Sequence, residues 1–96
     1  MLALRPNCEH CNKPLPPDST EAMICTFECT FCSECVDTIL ENVCPNCGGG
    51  FQKRPIRPKN LLEKYPSSDK PVYKPIDLEK FQSLLKKNKS IPPSKR

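Results

Sequence analysis

The sequence predicts a small α+β domain that is stabilised by bound metal rather than by a large hydrophobic core. All eight cysteines lie between Cys8 and Cys47, and apolar residues recur at helical spacing between the last two cysteine pairs. A chain of 96 residues with four Phe and no Trp also buries too little apolar surface to fold unaided. The four pairs, here called knuckles, are Cys8-x2-Cys11, Cys25-x3-Cys29, Cys32-x2-Cys35 and Cys44-x2-Cys47.

Eight paired cysteines supply the ligands of two tetrahedral four-thiolate sites, so we expect two Zn²⁺ per chain. A disulfide framework is one alternative. Against it, residues 1–6 lack the apolar run of a secretory signal, and no stretch is apolar enough to span a membrane. We therefore expect a cytoplasmic protein with reduced thiols. Iron–sulfur binding is a second alternative, but eight residues rather than three precede the Cys44-Pro45 step of the nearest ferredoxin-like run.

The elements predicted along the chain are short. Four prolines predict a loop over residues 5–20, and residues 22–25 and 26–27 predict two short strands or a hairpin. A short helix with one apolar face follows, and Pro45 and the glycines at 48–50 end it. The residues of this face are Val36, Ile39, Leu40 and Val43.

This helix decides which knuckles share a metal. Spacing alone permits a sequential scheme or an interleaved one. At ~1.5 Å per residue, a helix over 36–42 carries the chain roughly 10 Å away from Cys35 before Cys44 is reached. Two sulfurs on one zinc lie only about 3.8 Å apart, so Cys35 and Cys44 belong to different sites. The predicted sites are Cys8, Cys11, Cys32 and Cys35 (site 1), and Cys25, Cys29, Cys44 and Cys47 (site 2).

Charged residues beside the predicted ligands are expected to stay apart from the metal. Glu9, Glu28 and Glu34 adjoin sites that are already anionic, so we expect their carboxylates to face water. His10 is the only histidine and lies inside the first knuckle. Because eight cysteines fill both sites, we predict that His10 binds no metal.

The remainder of the chain differs sharply in charge and composition. Residues 1–52 carry a net charge of −5 and residues 53–96 one of +9. We divide the chain into a double-zinc head (residues 1–58) and a basic Pro/Lys-rich tail (residues 59–96). Its prolines predict an extended tail rather than a second core. One segment, 77–88, predicts a short helix that Asp77 caps.

The tail offers two apolar surfaces, and the sequence does not decide whether they dock on the head or bind a partner. The helix would present Leu78, Phe81 and Leu85 on one face. Leu61, Leu62 and Tyr65 form a weaker cluster.

The cysteine pattern of residues 8–47 resembles a RING finger, with Cys29 at the position that His usually holds. The matching stretches are residues 29–36 and the Cys44-Pro45-Asn46-Cys47 end. The resemblance implies a RING-like, treble-clef cross-brace with zinc loops, a short hairpin and one short helix.

Residues 1–58 are more similar still to a family of short bacterial cysteine-rich proteins catalogued as domain of unknown function 1272. That similarity rests on residues 4–8, 15–19, 44–49 and 54–58. The family brings no established function with it.

The predicted function is that of a non-catalytic zinc-binding module that mediates a macromolecular interaction, with a protein as its partner. Four-thiolate sites leave no coordination position for substrate, so we expect neither an enzyme nor a small-molecule substrate. Ubiquitin-ligase-like activity is an alternative, but Glu9 and His10 replace the apolar residue usual in the first knuckle, and Gly48 replaces a basic residue after the last ligand. The sequence also allows a thiol redox switch, or nucleic-acid binding through the basic tail.

Overall fold

The computed structural model describes all residues from 1 to 96 and confirms the small α+β fold. A three-stranded antiparallel sheet of order β2-β1-β3 comprises β1 (Ala22–Ile24), β2 (Thr30–Cys32) and β3 (Gln52–Lys53). Helix α1 (Ser33–Cys35) continues directly as a π-helical segment (Val36–Leu40), and α2 (Leu78–Asn88) lies in the tail. Single 3₁₀ turns occupy Lys59–Leu61 and Pro93–Lys95. None of the helices is long and apolar enough to cross a membrane.

The hairpin is present, but its second strand is β2 rather than residues 26–27. Ala22 pairs with Cys32 and Ile24 with Thr30. Residues 26–27 lie in the connecting loop, where the Glu28 N–H donates to the Cys25 carbonyl and Glu28 adopts φ 63°. The second knuckle therefore forms the turn of the hairpin. Strand β3, which pairs with β1, was not predicted because it has only two residues, both exposed.

The first helix begins earlier than predicted. It starts at Ser33 instead of residue 36 and ends at Leu40, after which Glu41 and Asn42 adopt φ values of 46° and 62°. These two residues turn the chain sharply toward the last knuckle. The predicted apolar face points inward: Val36, Leu40 and Val43 are buried, and Ile39 is half-buried.

The core lies between the hairpin, the first helix and the tail helix. Phe31 and Phe51 meet edge to face, with ring centroids 5.6 Å apart. Phe81 and Leu85 of α2 belong to the same buried cluster, so the tail has no core of its own and packs on that of the head. Asp77 caps α2 as expected, accepting from the N–H groups of Glu79 and Lys80. Leu78, which was expected on the packed face, is 45% exposed.

Three arginines link loops that are distant in sequence, because each donates hydrogen bonds to more than one backbone carbonyl. Arg54 is buried and bonds the carbonyls of Arg5, Leu15 and Pro16. Arg57 bonds those of Leu2 and Tyr65, and Arg96 bonds those of Ile91, Asn42 and Gly48. None of the three pairs with a carboxylate.

Substituting Arg54 tests how much these hydrogen bonds contribute to the stability of the fold. Arg54→Met removes three hydrogen bonds and leaves the buried Leu15 carbonyl without its donor, so we expect the free energy of unfolding to fall by about 3 kcal/mol. For a domain of this size the melting temperature should then drop by on the order of 15 °C. Lys53→Met is the matched control, since Lys53 is exposed and forms no ion pair. Equal melting temperatures for the two variants would contradict the assignment.

Candidate metal centres

The structure brings the four cysteines of site 1 together. All four Sγ atoms lie within 4.8 Å of one another. Two of the separations are 3.9 Å (Cys8 to Cys35) and 3.7 Å (Cys11 to Cys32), close to the edge of about 3.8 Å expected around a tetrahedral zinc. Cys32 ends β2 and Cys35 ends α1, so one strand-to-helix junction supplies half of the site.

The first knuckle is shaped by its own backbone hydrogen bonds. The Cys8 N–H donates to the Lys13 carbonyl at 2.9 Å, and the Asn12 N–H donates to the Cys8 carbonyl at 3.0 Å. Asn12 has φ 64°, in the left-handed region that Asn tolerates well. This tight loop turns the side chains of Cys8 and Cys11 toward the same point.

Site 2 comes together with three of its four predicted members. The Sγ atoms of Cys25, Cys44 and Cys47 lie within 4.8 Å of one another. Cys29 adjoins the group but lies outside that limit, and its Sγ accepts a hydrogen bond of 3.3 Å from Asn46 Nδ2. A hydrogen bond to a cysteine sulfur is compatible with metal binding, so Cys29 remains the candidate fourth ligand.

The two sites are interleaved along the chain, as the helix argument predicts. The π-helical segment separates Cys35 of site 1 from Cys44 of site 2. No disulfide joins any of the eight cysteines, and six of them are buried. Cys11 and Cys47 are exposed, so each site has one edge at the surface.

In each site, burial raises the pKa of the cysteine thiols and hydrogen bonds from backbone N–H groups lower it. Burial raises the pKa of Cys35 in site 1 and of Cys44 in site 2. Burial also acts to raise the pKa of Cys8 and Cys25, but backbone N–H donors outweigh it and leave both pKa values lowered. Neither group can therefore hold four thiolates without a compensating positive charge, which a divalent cation supplies.

Backbone N–H groups also point at the sulfurs of site 2. The Phe27 N–H lies 3.3 Å from the Cys25 Sγ, and the Gly49 N–H lies 3.4 Å from the Cys47 Sγ. Gly48 makes the second contact possible because its φ of 77° favours glycine. Sulfurs that receive such bonds are stabilised as thiolates, which are the metal-binding form. The donor set and its surroundings thus fit a metal ion, and four cysteine sulfurs suit zinc.

Glu9 does not face water as expected. It is only 4% exposed, and its Oε2 accepts from the Thr30 N–H at 2.6 Å and from Arg5 Nη1 at 2.8 Å. The ion pair and the N–H bond compensate for burying the carboxylate. Glu9 therefore ties the first knuckle to β2. Glu28 and Glu34 lie at half-exposed and exposed positions.

His10 lies outside both cysteine groups and contacts the tail instead. Its Nδ1 accepts a hydrogen bond of 2.9 Å from the Ile76 N–H. The sequence offered no signal for this contact, because the two residues are 66 positions apart and Ile76 lies between predicted elements.

Comparisons with known proteins agree on the cysteine-rich head. The sequence model of the family described as "Protein of unknown function (DUF1272)" matches residues 1–57. An uncharacterized protein of Rhizobium meliloti (strain 1021) is 61% identical over 75 residues, which cover 78% of this chain and 89% of that protein. No solved structure matches the chain.

Proposed function

The chain belongs to the family described as "Protein of unknown function (DUF1272)", and we propose that it is a non-catalytic module in which two structural Zn²⁺ ions hold a surface for a macromolecular partner. The observation that carries the proposal is the convergence of four cysteine sulfurs in site 1 and three, with Cys29 adjoining, in site 2. With four thiolates on each ion, no coordination position is left for water or substrate, which favours a structural role over metal catalysis.

The interleaved knuckles also support a RING-like cross-brace as the architecture of the head. In such an arrangement each metal joins two segments that are distant in sequence, so the two ions substitute for a large core. This architecture does not by itself support ubiquitin-ligase-like activity. Where a ligase usually has an apolar residue in the first knuckle, this chain has Glu9, whose carboxylate is bound to Arg5 and to the Thr30 N–H. An architecture alone does not carry an activity.

A thiol redox switch is less well supported than a structural role. Six of the eight sulfurs are buried, whereas reactive cysteines are partly exposed thiolates. The two exposed cysteines, Cys11 and Cys47, belong to different sulfur groups. Neither exposed cysteine therefore lies outside the sulfur groups, where a redox-active thiol would be expected.

Metal content and intact mass of the freshly purified protein test the proposal. We expect two zinc ions per chain, a mass that corresponds to eight reduced thiols, and a non-denaturing mass that includes both ions. Iron with inorganic sulfide would overturn the zinc assignment. Four disulfides without metal would overturn the module itself and place the protein in an oxidising compartment.

One observation favours nucleic-acid binding as a second candidate function. The tail contains nine lysines, all exposed, and neither ion pair of the molecule involves any of them. They are therefore available to an external polyanion such as single-stranded nucleic acid. Affinity for an oligonucleotide should then fall steeply with salt, and replacing Lys86, Lys87 and Lys89 with Gln should flatten that dependence. Binding without salt dependence would exclude this candidate.

A further inference from the structure

The tail crosses one particular face of the head. Its residues 72–76 run beside the first knuckle: Asn7 Nδ2 donates to the Val72 carbonyl, and the Lys74 N–H donates to the Glu9 carbonyl, both at 2.9 Å. The Ile76 N–H then donates to His10 Nδ1, also at 2.9 Å. Main-chain and side-chain groups of the head thus bind an extended segment of the tail.

Helix α2 continues this path to the last knuckle. Phe81 and Leu85 are 4% and 6% exposed and belong to the buried core cluster of the head. Phe81 lies beside Phe31 and Pro45, and Leu85 lies beside Ile39 of the π-helical segment. A Cβ added at Gly48 would lie 3.1 Å from Asn88 Nδ2 and 3.6 Å from Leu84 Cδ1, so the helix lies directly against the turn that follows Cys47. We call the head surface between the first and last knuckles the knuckle face.

The fit of the tail on the knuckle face is incomplete. A cavity of about 260 Å³ remains between them. Glu9, Phe31, Pro45 and Asn46 line its head side. Lys74, Ile76, Phe81 and Leu84 are among the residues that line its tail side.

The tail is attached by features that permit its release. The segment that precedes the docked part, residues 62–71, contains Pro66 and Pro71. It forms few hydrogen bonds to the head, and one of them joins the Ser68 N–H to the Leu4 carbonyl. No ion pair joins tail to head, although the two carry opposite net charge. Two apolar anchors and a few hydrogen bonds, including those of Arg96 to the Asn42 and Gly48 carbonyls, must therefore offset the conformational entropy lost by the whole ordered segment.

We infer that the knuckle face is a docking surface for a basic amphipathic helix preceded by an extended segment, and that the chain's own residues 72–88 occupy it until a partner segment displaces them. The inference rests on the proposed function. Like residues 72–88 of this chain, the partner segment has two apolar side chains four residues apart and flanking lysines or arginines. Its positive charge complements the acidic head, which bound thiolates make more acidic.

A labelled synthetic peptide of residues 72–96 tests this inference in full-length, metal-loaded protein. Phe81→Ser/Leu85→Ser removes both apolar anchors from the resident helix and should free the knuckle face. We expect this variant to bind the peptide at least about tenfold more tightly than the unaltered chain, whose face is occupied most of the time. Gln82→Ser, on the exposed side of the same helix, is the matched control and should behave as the unaltered chain does.

The outcomes separate the inference from the proposed function, because zinc content is measured on the same samples. A variant that keeps two zinc ions but does not bind the peptide overturns the docking surface and leaves the structural-zinc proposal standing. Equal affinity of the variant and the unaltered chain also overturns it, because the peptide then binds elsewhere.

Hydrogen exchange on the unaltered protein gives a second, independent test that needs no variant. We expect amides of Phe81–Lys89 to exchange at least about tenfold faster than those of the β1–β2 pair, through undocking of the tail alone. Equal protection of both regions would mean that the tail leaves only when the whole protein unfolds, which would overturn the inference.

Discussion

Removing zinc with a chelator is expected to unfold the head as a single unit. The strands that frame the metal sites have three residues or fewer, and the core contains few large side chains. Structural zinc contributes about 10–16 kcal/mol in small zinc domains, which is as large as the whole stability of a typical domain of this size. We therefore expect loss of the β1–β2 amide protection and of chemical-shift dispersion when both ions are removed.

The same experiment shows whether the tail helix depends on the head. Helix α2 has 11 residues, too few for a stable isolated helix, and its anchors Phe81 and Leu85 pack only on the head. Its helical circular dichroism should disappear together with the sheet and return when zinc is added back. A head that kept its dispersed spectrum after complete metal removal would contradict a structural role for the metal.

Single cysteine substitutions are expected to remove one metal each, and from different sites. Cys32→Ser removes a ligand of site 1 and Cys44→Ser one of site 2, since their sulfurs belong to separate groups. Each variant should bind one zinc ion and lose several kcal/mol of unfolding free energy. Substituting cadmium for zinc allows the two sites to be followed by separate cadmium resonances, of which each variant should lack a different one.

Ser33→Ala is the matched control for these variants. Ser33 directly follows Cys32, is half-buried, and offers no sulfur to either site. It should keep both resonances. If Cys32→Ser and Cys44→Ser removed the same resonance, the interleaved arrangement would be wrong and a sequential scheme would replace it.

Cysteine spacing and one helix were sufficient to predict the grouping of seven of the eight sulfurs. The apolar positions of Val36, Leu40 and Val43 predict a helix, and the rise of that helix separates Cys35 from Cys44. The early start of the helix lies before Cys35 and does not affect this argument. Its end at Leu40, two residues earlier than predicted, shortens the helical path, yet Cys35 and Cys44 still lie in different groups. Cys29 is the one member whose sulfur the structure leaves outside its group, where it accepts a hydrogen bond from Asn46.

Contacts between distant residues could not be predicted in this way. Glu9 was expected at the surface because it adjoins a metal site that is already anionic. Its burial depends on the Thr30 N–H, 21 positions away, and on Arg5 lying in reach on the same loop. The docking of the tail was left undecided for a similar reason, since the apolar face of α2 is equally suited to the head and to a partner.

The fold constrains the arginines and the lysines of this protein unequally. Each of Arg54, Arg57 and Arg96 spans at least two carbonyls, a geometry that the point charge of a lysine cannot reproduce. The nine tail lysines touch no carboxylate and are exposed, so we expect exchange for Gln or Ser to change the stability of the fold little. Substitutions can therefore change the net charge of the tail while the arginine hydrogen bonds that join it to the head are retained.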